Sequence, residues 1–203
     1  MEQKKDNTEE KILNAAREVF IRKGMDGARM QEIADEAGIN KALLHYYFRS
    51  KEKLFDAIFS KIIEFAFPQI SKILKDDLVF ATKFELIIDA YLDLLIKHPF
   101  LPGFILKEVN RDPSAFFKLV ADHAFDAEVV KSQIERAMDR GEIIRMDPVH
   151  LVINIISMCV FPFAARPIVG YIAFKNDKQA LAKFYSERAA VIKKFVIDSI
   201  VIK

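Results

Sequence analysis

Apolar residues return every third or fourth position along almost the whole chain, and nowhere do they alternate singly over the length of a strand. That spacing puts an apolar stripe along one side of a helix, and helices of this kind bury their stripes by packing on one another. No pair of alternating segments flanks a hairpin turn. The expectation is an all-α protein. Helices are read at 8–23, 30–37 and 41–48, then in a long fourth helix after Ser50 that Pro68 ends. Further helices are read at 82–97, 101–110, 114–139, 148–165 and 178–202. They are punctuated by His98-Pro99, Asp112-Pro113, Gly141, Asp147-Pro148 and a non-helical segment from Pro167 to Asn176. Asn7 or Thr8 caps the first helix, and Gly24 offers a left-handed stop after Lys23.

Within this pattern one stretch is specific: MQEIADEAGINKALLHYYF, from Met30 to Phe48. Two short helices that cross steeply need a small residue where they touch, and Ala34 supplies it. Their tight turn needs a residue that tolerates positive φ, and Gly38 supplies that. Asn40 is placed to cap the second of the two, while Ile33, Ile39, Leu44 and Tyr47 or Phe48 are spaced to form a small core with helix one. The outward face is then Lys41, Ala42, Leu43, His45 and Tyr46, which contains no acid. From Ala37 to Lys53 the charges are Lys41, Arg49, Lys51 and Lys53 against Glu52, so four minus one leaves +3. A basic patch confined to one stretch suits contact with phosphate, and the spacing is that of a helix-turn-helix whose second helix enters the DNA major groove.

Composition bounds the rest. The chain has 203 residues, 52% of them hydrophobic and 18 of them Phe, so much apolar surface must enter a core, an interface or a cavity. The formal net charge of only +2 makes the local basic patch the more informative quantity. The single Cys159 excludes an intrachain disulfide and suits a reducing compartment. The polar start lacks a signal-peptide core, and the apolar run Leu151–Ala165 is interrupted by Asn154, Ser157 and Pro162. A cytoplasmic protein with no membrane partner is expected.

Read with its flanks, the stretch resembles the TetR family of bacterial transcriptional regulators. The matching residues are Ile12 to Phe20, Gly24, Ile33-Ala34, Ala37-Gly38-Ile39, Lys41, Leu44, Tyr47-Phe48 and Ser50 through Leu54. The sequence HYYFRSKEKL resembles the family's junction between recognition helix and fourth helix. The resemblance covers about residues 8–60 and implies an N-terminal three-helix helix-turn-helix DNA-binding domain, residues 1–57. A long fourth helix would join it to a C-terminal helical ligand-binding and dimerisation bundle, residues 58–203. It also implies that Lys41, Ala42 and Leu43 touch base edges or adjacent phosphates, and that His45 and Tyr46 contact backbone and neighbouring bases. Tyr47 would be half core and half phosphate contact, and Lys51 would meet phosphate at the start of helix four. Arg29 and Gln31 complete the expected DNA surface. Two departures stand out: Ala28-Arg29 replaces the usual hydroxyl cap of helix two, and Leu43 replaces a frequent small hydroxyl. The second suggests apolar contact with a thymine methyl.

The C-terminal bundle carries two further expectations. Its last helix places Phe184, Arg188, Val191, Ile192 and Phe195 on one broad stripe, and helix 148–165 is apolar almost all round. With Val152 and Ile156 these residues form the expected homodimer interface, since the family pairs two such helices with their symmetry mates. A cavity for a small apolar ligand is expected at Phe65, Phe104, Phe116, Val120, His123, Asn154 and Ser157, against the alternative of an ordinary core. No zinc-protease helix, di-iron pair, phosphate-binding glycine loop or Cys pair is present, so no catalytic residue, cofactor or metal is expected. Asp122, His123 and Asp126 lack a fourth ligand of evident spacing. The expectation is a homodimeric repressor that binds a pseudo-palindromic operator and is released by a small apolar effector, the alternative being a DNA-binding regulator or architectural protein without an effector.

Overall fold

The structure, a computed structural model, describes residues 2–111, 113–114 and 127–202, with side chains throughout except at 2–6, 63, 65, 67, 104, 108 and 111. The chain divides into two compact units, Met1–Phe65 and Ala66–Lys203.

The first unit grows from α1 (Glu2–Gly27), whose stripe of Ile12, Ala16, Val19 and Phe20 is fully buried. Helix α1 begins earlier than the Asn7 or Thr8 cap expected from the sequence, because Glu, Gln and Lys before them are good helix formers. Gly24 breaks it with φ +68° and ψ 171°, a conformation that costs a side-chain-bearing residue strain. Then follow α2 (Met30–Glu36) and α3 (Lys41–Tyr47), each of 7 residues. Isolated helices so short do not hold in water, so packing must support them. Ile33, Ala34 and Leu44 supply it and are completely buried, with Phe48 close behind. The opening turns of α4 (Lys51–Lys75) add Leu54, Phe55, Ile58 and Phe59 to the same core, with the Phe20 and Phe55 rings 5.8 Å apart.

The unit boundary falls inside α4, which continues to Lys75 with Pro68 in its interior. Pro68 therefore does not end the helix as its sequence signal suggested. The stretch beyond it is held by burial of Leu74.

The second unit contains the rest of α4, α5 (Phe80–Lys97), α6 (Leu101–Arg111), α7 (Ala127–Asp139), α8 (Pro148–Ala164), α9 (Arg166–Phe174) and α10 (Lys178–Ile200). Of the helix expected over 114–139, residue 114 and the stretch from Ala127 onward are described. Asp147 starts α8 by accepting from the Val149 amide at 2.7 Å, and Asp177 starts α10 by accepting from Gln179 and Ala180. Helix α5 packs against α8 and α10, burying Ile88, Leu92 and Leu95 beside Ile134, Ile155, Cys159, Ile192 and Val196. Fully burying one such large side chain stabilises by roughly 1.5–3 kcal/mol.

Helix α9 is a correction to the sequence reading, which took Pro167 to Asn176 as non-helical. Pro167 lies in its first turn, where the missing N–H has no partner to lose, and the helix closes at left-handed Lys175 and Asn176. Among the described residues strand-type pairing is confined to one isolated bridge, Ile143 with Val201. Also among them, no single helix is long and apolar enough to cross a membrane.

Candidate functional site

The turn between α2 and α3 is closed by three backbone bonds: Ala37 to Ile33, Gly38 to Asp35 and Ile39 to Ala34, all near 3.0 Å. Gly38 sits at φ +66°, as its place in the sequence demanded. Asn40 then caps α3, its side-chain oxygen accepting from the Leu43 amide at 2.8 Å. With Leu44 locked inward, the helix has one rotational setting, and Lys41, Ala42, Leu43, His45 and Tyr46 all come out exposed. Tyr46 is 72% exposed, a large aromatic ring standing in water with its edge against Tyr47. Tyr47 itself is half-buried, and Arg29 and Gln31 are exposed at the start of α2. Arg29 occupies the N-cap position in extended backbone without a side-chain cap, the consequence of the missing hydroxyl.

Acids near this face are already engaged. Arg22 pairs with Glu36 at 2.6 Å, and Lys23 pairs with Glu32, clamping α1 to α2. The hydrogen bond from Lys23 holds the Glu32 carboxyl below its ordinary pKa, and the bond to Glu36 raises that of Arg22. Asp35 accepts from Gln31 at 2.8 Å. Lys51, expected at phosphate, donates its ammonium to the carbonyls of Ala28 at 3.1 Å and Asp26 at 3.3 Å. It therefore ties α4 to the α1–α2 corner, with part of its donor capacity spent. His45 is likewise within 3.3 Å of the Arg49 carbonyl through Nδ1.

The second unit holds a cavity of about 280 Å³. Its walls include Ile70 and Leu74 from α4, Phe84 and Tyr91 from α5, Gln133 from α7, and Val152, Ile155, Ile156 and Cys159 from α8. They are almost entirely apolar. Burial pushes the Cys159 thiol up to about 11, so it stays protonated and inert near neutral pH. Asn154 and Ser157, expected at a pocket, are exposed on the side of α8 away from the lining Val152, Ile155 and Cys159. They are corrected by helical phase: two residues from Val152 and from Ile155 respectively, they are turned well away from it. Phe116, Val120 and His123, with Asp122 and Asp126, lie outside the described residues, as do the Phe65 and Phe104 side chains. The sequence reading missed Lys83, a buried lysine on the apolar stripe of α5. A charge at a stripe position was the available signal.

The expected interface residues separate into two groups. Val191 and Phe195 are 54% and 62% exposed on α10, and α8 adds exposed Ile153 and Phe161. Ile192, however, is 1% exposed in the core, and Val152 lines the cavity, as does Ile156, which is nevertheless 42% exposed. Phe184 is half-buried under the Arg188 guanidinium, 5.5 Å from its ring centre. Arg188 also donates to the Met158 carbonyl at 3.0 Å. That carbonyl would pair with the amide four residues on, which Pro162 lacks, so Arg188 repairs a helix defect from a neighbouring helix.

The family described as bacterial regulatory proteins, tetR family, matches residues 12–58. The HTH-type transcriptional repressor NicS of Pseudomonas putida is 35% identical over 98 residues, 48% of this chain and 46% of that protein. The match thus spans less than half of NicS. A longer match, 23% identical over 192 residues and 92% of each chain, is to the probable HTH-type transcriptional regulator YttP of Bacillus subtilis. Among solved structures, AibR in complex with isovaleryl coenzyme A and operator DNA is 18% identical. It shares the fold with a TM-score of 0.64, over 77% of this chain and 85% of that one.

Proposed function

Because the chain belongs to the TetR family of bacterial transcriptional regulators, we propose that it is a repressor released from DNA by a small apolar effector. It binds a pseudo-palindromic operator as a homodimer. The observation that carries this reading is the exposed face of α3: Lys41, Ala42, Leu43, His45 and Tyr46, free of acids and fixed in rotation by Leu44. A helix facing only water gains nothing from displaying Leu43 and Tyr46, whereas base edges and thymine methyls reward both. The cationic side chains Lys41, Arg29 and Arg49 are exposed for phosphate, and Lys51 keeps what its carbonyl contacts leave.

The cavity supports an effector, and exposed Phe161, Val191 and Phe195 support a second copy. Cavity-lining Ile70 and Leu74 belong to the same helix as Lys51, so an effector that prefers one placement of α4 has a covalent route to the reading head. The coupling needs only a difference in effector affinity between the two placements. AibR, with its acyl-CoA and operator, and NicS, a named repressor, are precedents of the same kind. The test is selection of bound fragments from random and genomic DNA. Recovered sites should be inverted repeats whose half-sites lie about one helical turn, ~34 Å, apart. Recovery of asymmetric sites, or no enrichment above bulk DNA, overturns the reading.

A further inference from the structure

The cavity carries polar atoms on three of its lining side chains, Tyr91, Gln133 and Cys159, and the chemistry of a neighbour decides what one of them offers. Lys83 is only 7% exposed. Its ammonium donates to the Leu74 carbonyl at 2.9 Å and to Oε1 of Gln133 at 3.2 Å. An ammonium has donors and no acceptor, so the Gln133 atom facing it must be the oxygen. Flipping the amide would set donor against donor in a part-buried contact, where an unmade hydrogen bond carries a cost. The acceptor of Gln133 is thereby consumed. Its amide nitrogen makes no hydrogen bond to a described residue, and Gln133 is one of the cavity-lining residues. The Tyr91 hydroxyl also has no partner among the described residues, and burial raises its pKa, so it remains a donor. Lys83 is not itself part of the lining, so a charged ligand group would find no counterion at the wall.

We infer that the cavity selects an uncharged, largely hydrocarbon molecule carrying a hydrogen-bond acceptor such as a ketone or ester oxygen. Gln133 Nε2 receives that oxygen, and Lys83 is the positioning residue that makes Gln133 a donor. This deepens the effector reading and rests on it.

The test uses the full chain and Nile red, a neutral dye whose emission rises in an apolar cavity. Three competitors displace it: 2-octanone, its methylene isostere 2-methyl-1-octene, and octanoate. The ratio of ketone to alkene affinity should fall about fivefold in Gln133→Leu, the value of one net hydrogen bond. It should also fall in Lys83→Met, whose apolar side chain of similar length fills the site while freeing the amide to turn. Octanoate should compete more weakly than the ketone. A ratio unchanged in Gln133→Leu, or octanoate competing better than the ketone, overturns this inference and leaves the effector reading standing. Failure of Nile red to bind at all overturns both.

Discussion

Leu43 and Gly38 occupy the same motif but are constrained by different physics. Leu43 is 37% exposed, its backbone held by Asn40, so part of its side chain faces outward from α3 beside Lys41 and Ala42. Leu43→Ala should lower the preference for one thymine-containing operator position by about 1 kcal/mol or more, leaving non-specific affinity nearly unchanged. Binding titrations against operators with thymine or uracil at each position check it. Equal wild-type affinity for all of them would refute the contact. Gly38 is required by conformation rather than space: a Cβ there meets nothing within 4 Å, yet φ is +66°. Gly38→Ala should therefore cost about 1–2 kcal/mol of stability by backbone strain alone, read from denaturant midpoints.

Helix ends supply the next scale. Helix α5 lacks a side-chain cap of its own at Val79, and its first amide, Phe80, is met by Glu142 at 3.0 Å from the loop after α7. The hydrogen bond from Arg140, and after it that from the Phe80 amide, hold the Glu142 carboxyl below its ordinary value of 4.5. Folding thus favours the ionised form. The resulting stabilisation is present above about pH 4.5 and fades as pH falls through the lowered folded value. Glu142→Gln should be less stable than wild type at pH 7, the gap closing by pH 3. A gap that stays constant across urea denaturations at intervening pH values would show that the carboxyl's charge plays no part.

For the molecule as a whole the question is what covers α8 and α10. Val191 and Phe195 leave too much apolar surface in water to be indifferent, and Phe161 adds to it. Introducing Asp at both Val191 and Phe195 would bring four carboxylates toward one two-fold axis, an unfavourable burial of like charge. The double variant should sediment as a helical monomer and lose tight operator binding, since one reading head makes half the contacts. A variant that still sediments as a dimer would place the interface elsewhere.

Periodicity, caps and punctuation were sufficient for the all-helical architecture and for the reading head. The determinants of the turn between α2 and α3 are local: Ala34, Gly38, Asn40 and Leu44 act within about ten residues of one another. What depended on distant partners was not legible. That Lys51 also donates to the carbonyls of Asp26 and Ala28 could not be read from its place at the start of α4. Ile192 and Val191 are adjacent and equally apolar, and only the placement of α5 and α8 buries one and exposes the other. Pro68 inside α4, Pro162 relieved by Arg188, and Pro167 opening α9 obey no single sequence rule. A proline's missing N–H is harmless or costly according to what stands beside the orphaned carbonyl. The polarity of the cavity was hidden for the same reason. Gln133 is donor or acceptor only once Lys83, 50 residues away in the chain, has taken its oxygen. Local sequence determined which elements form; the packing of remote elements decided which atoms remain free to act.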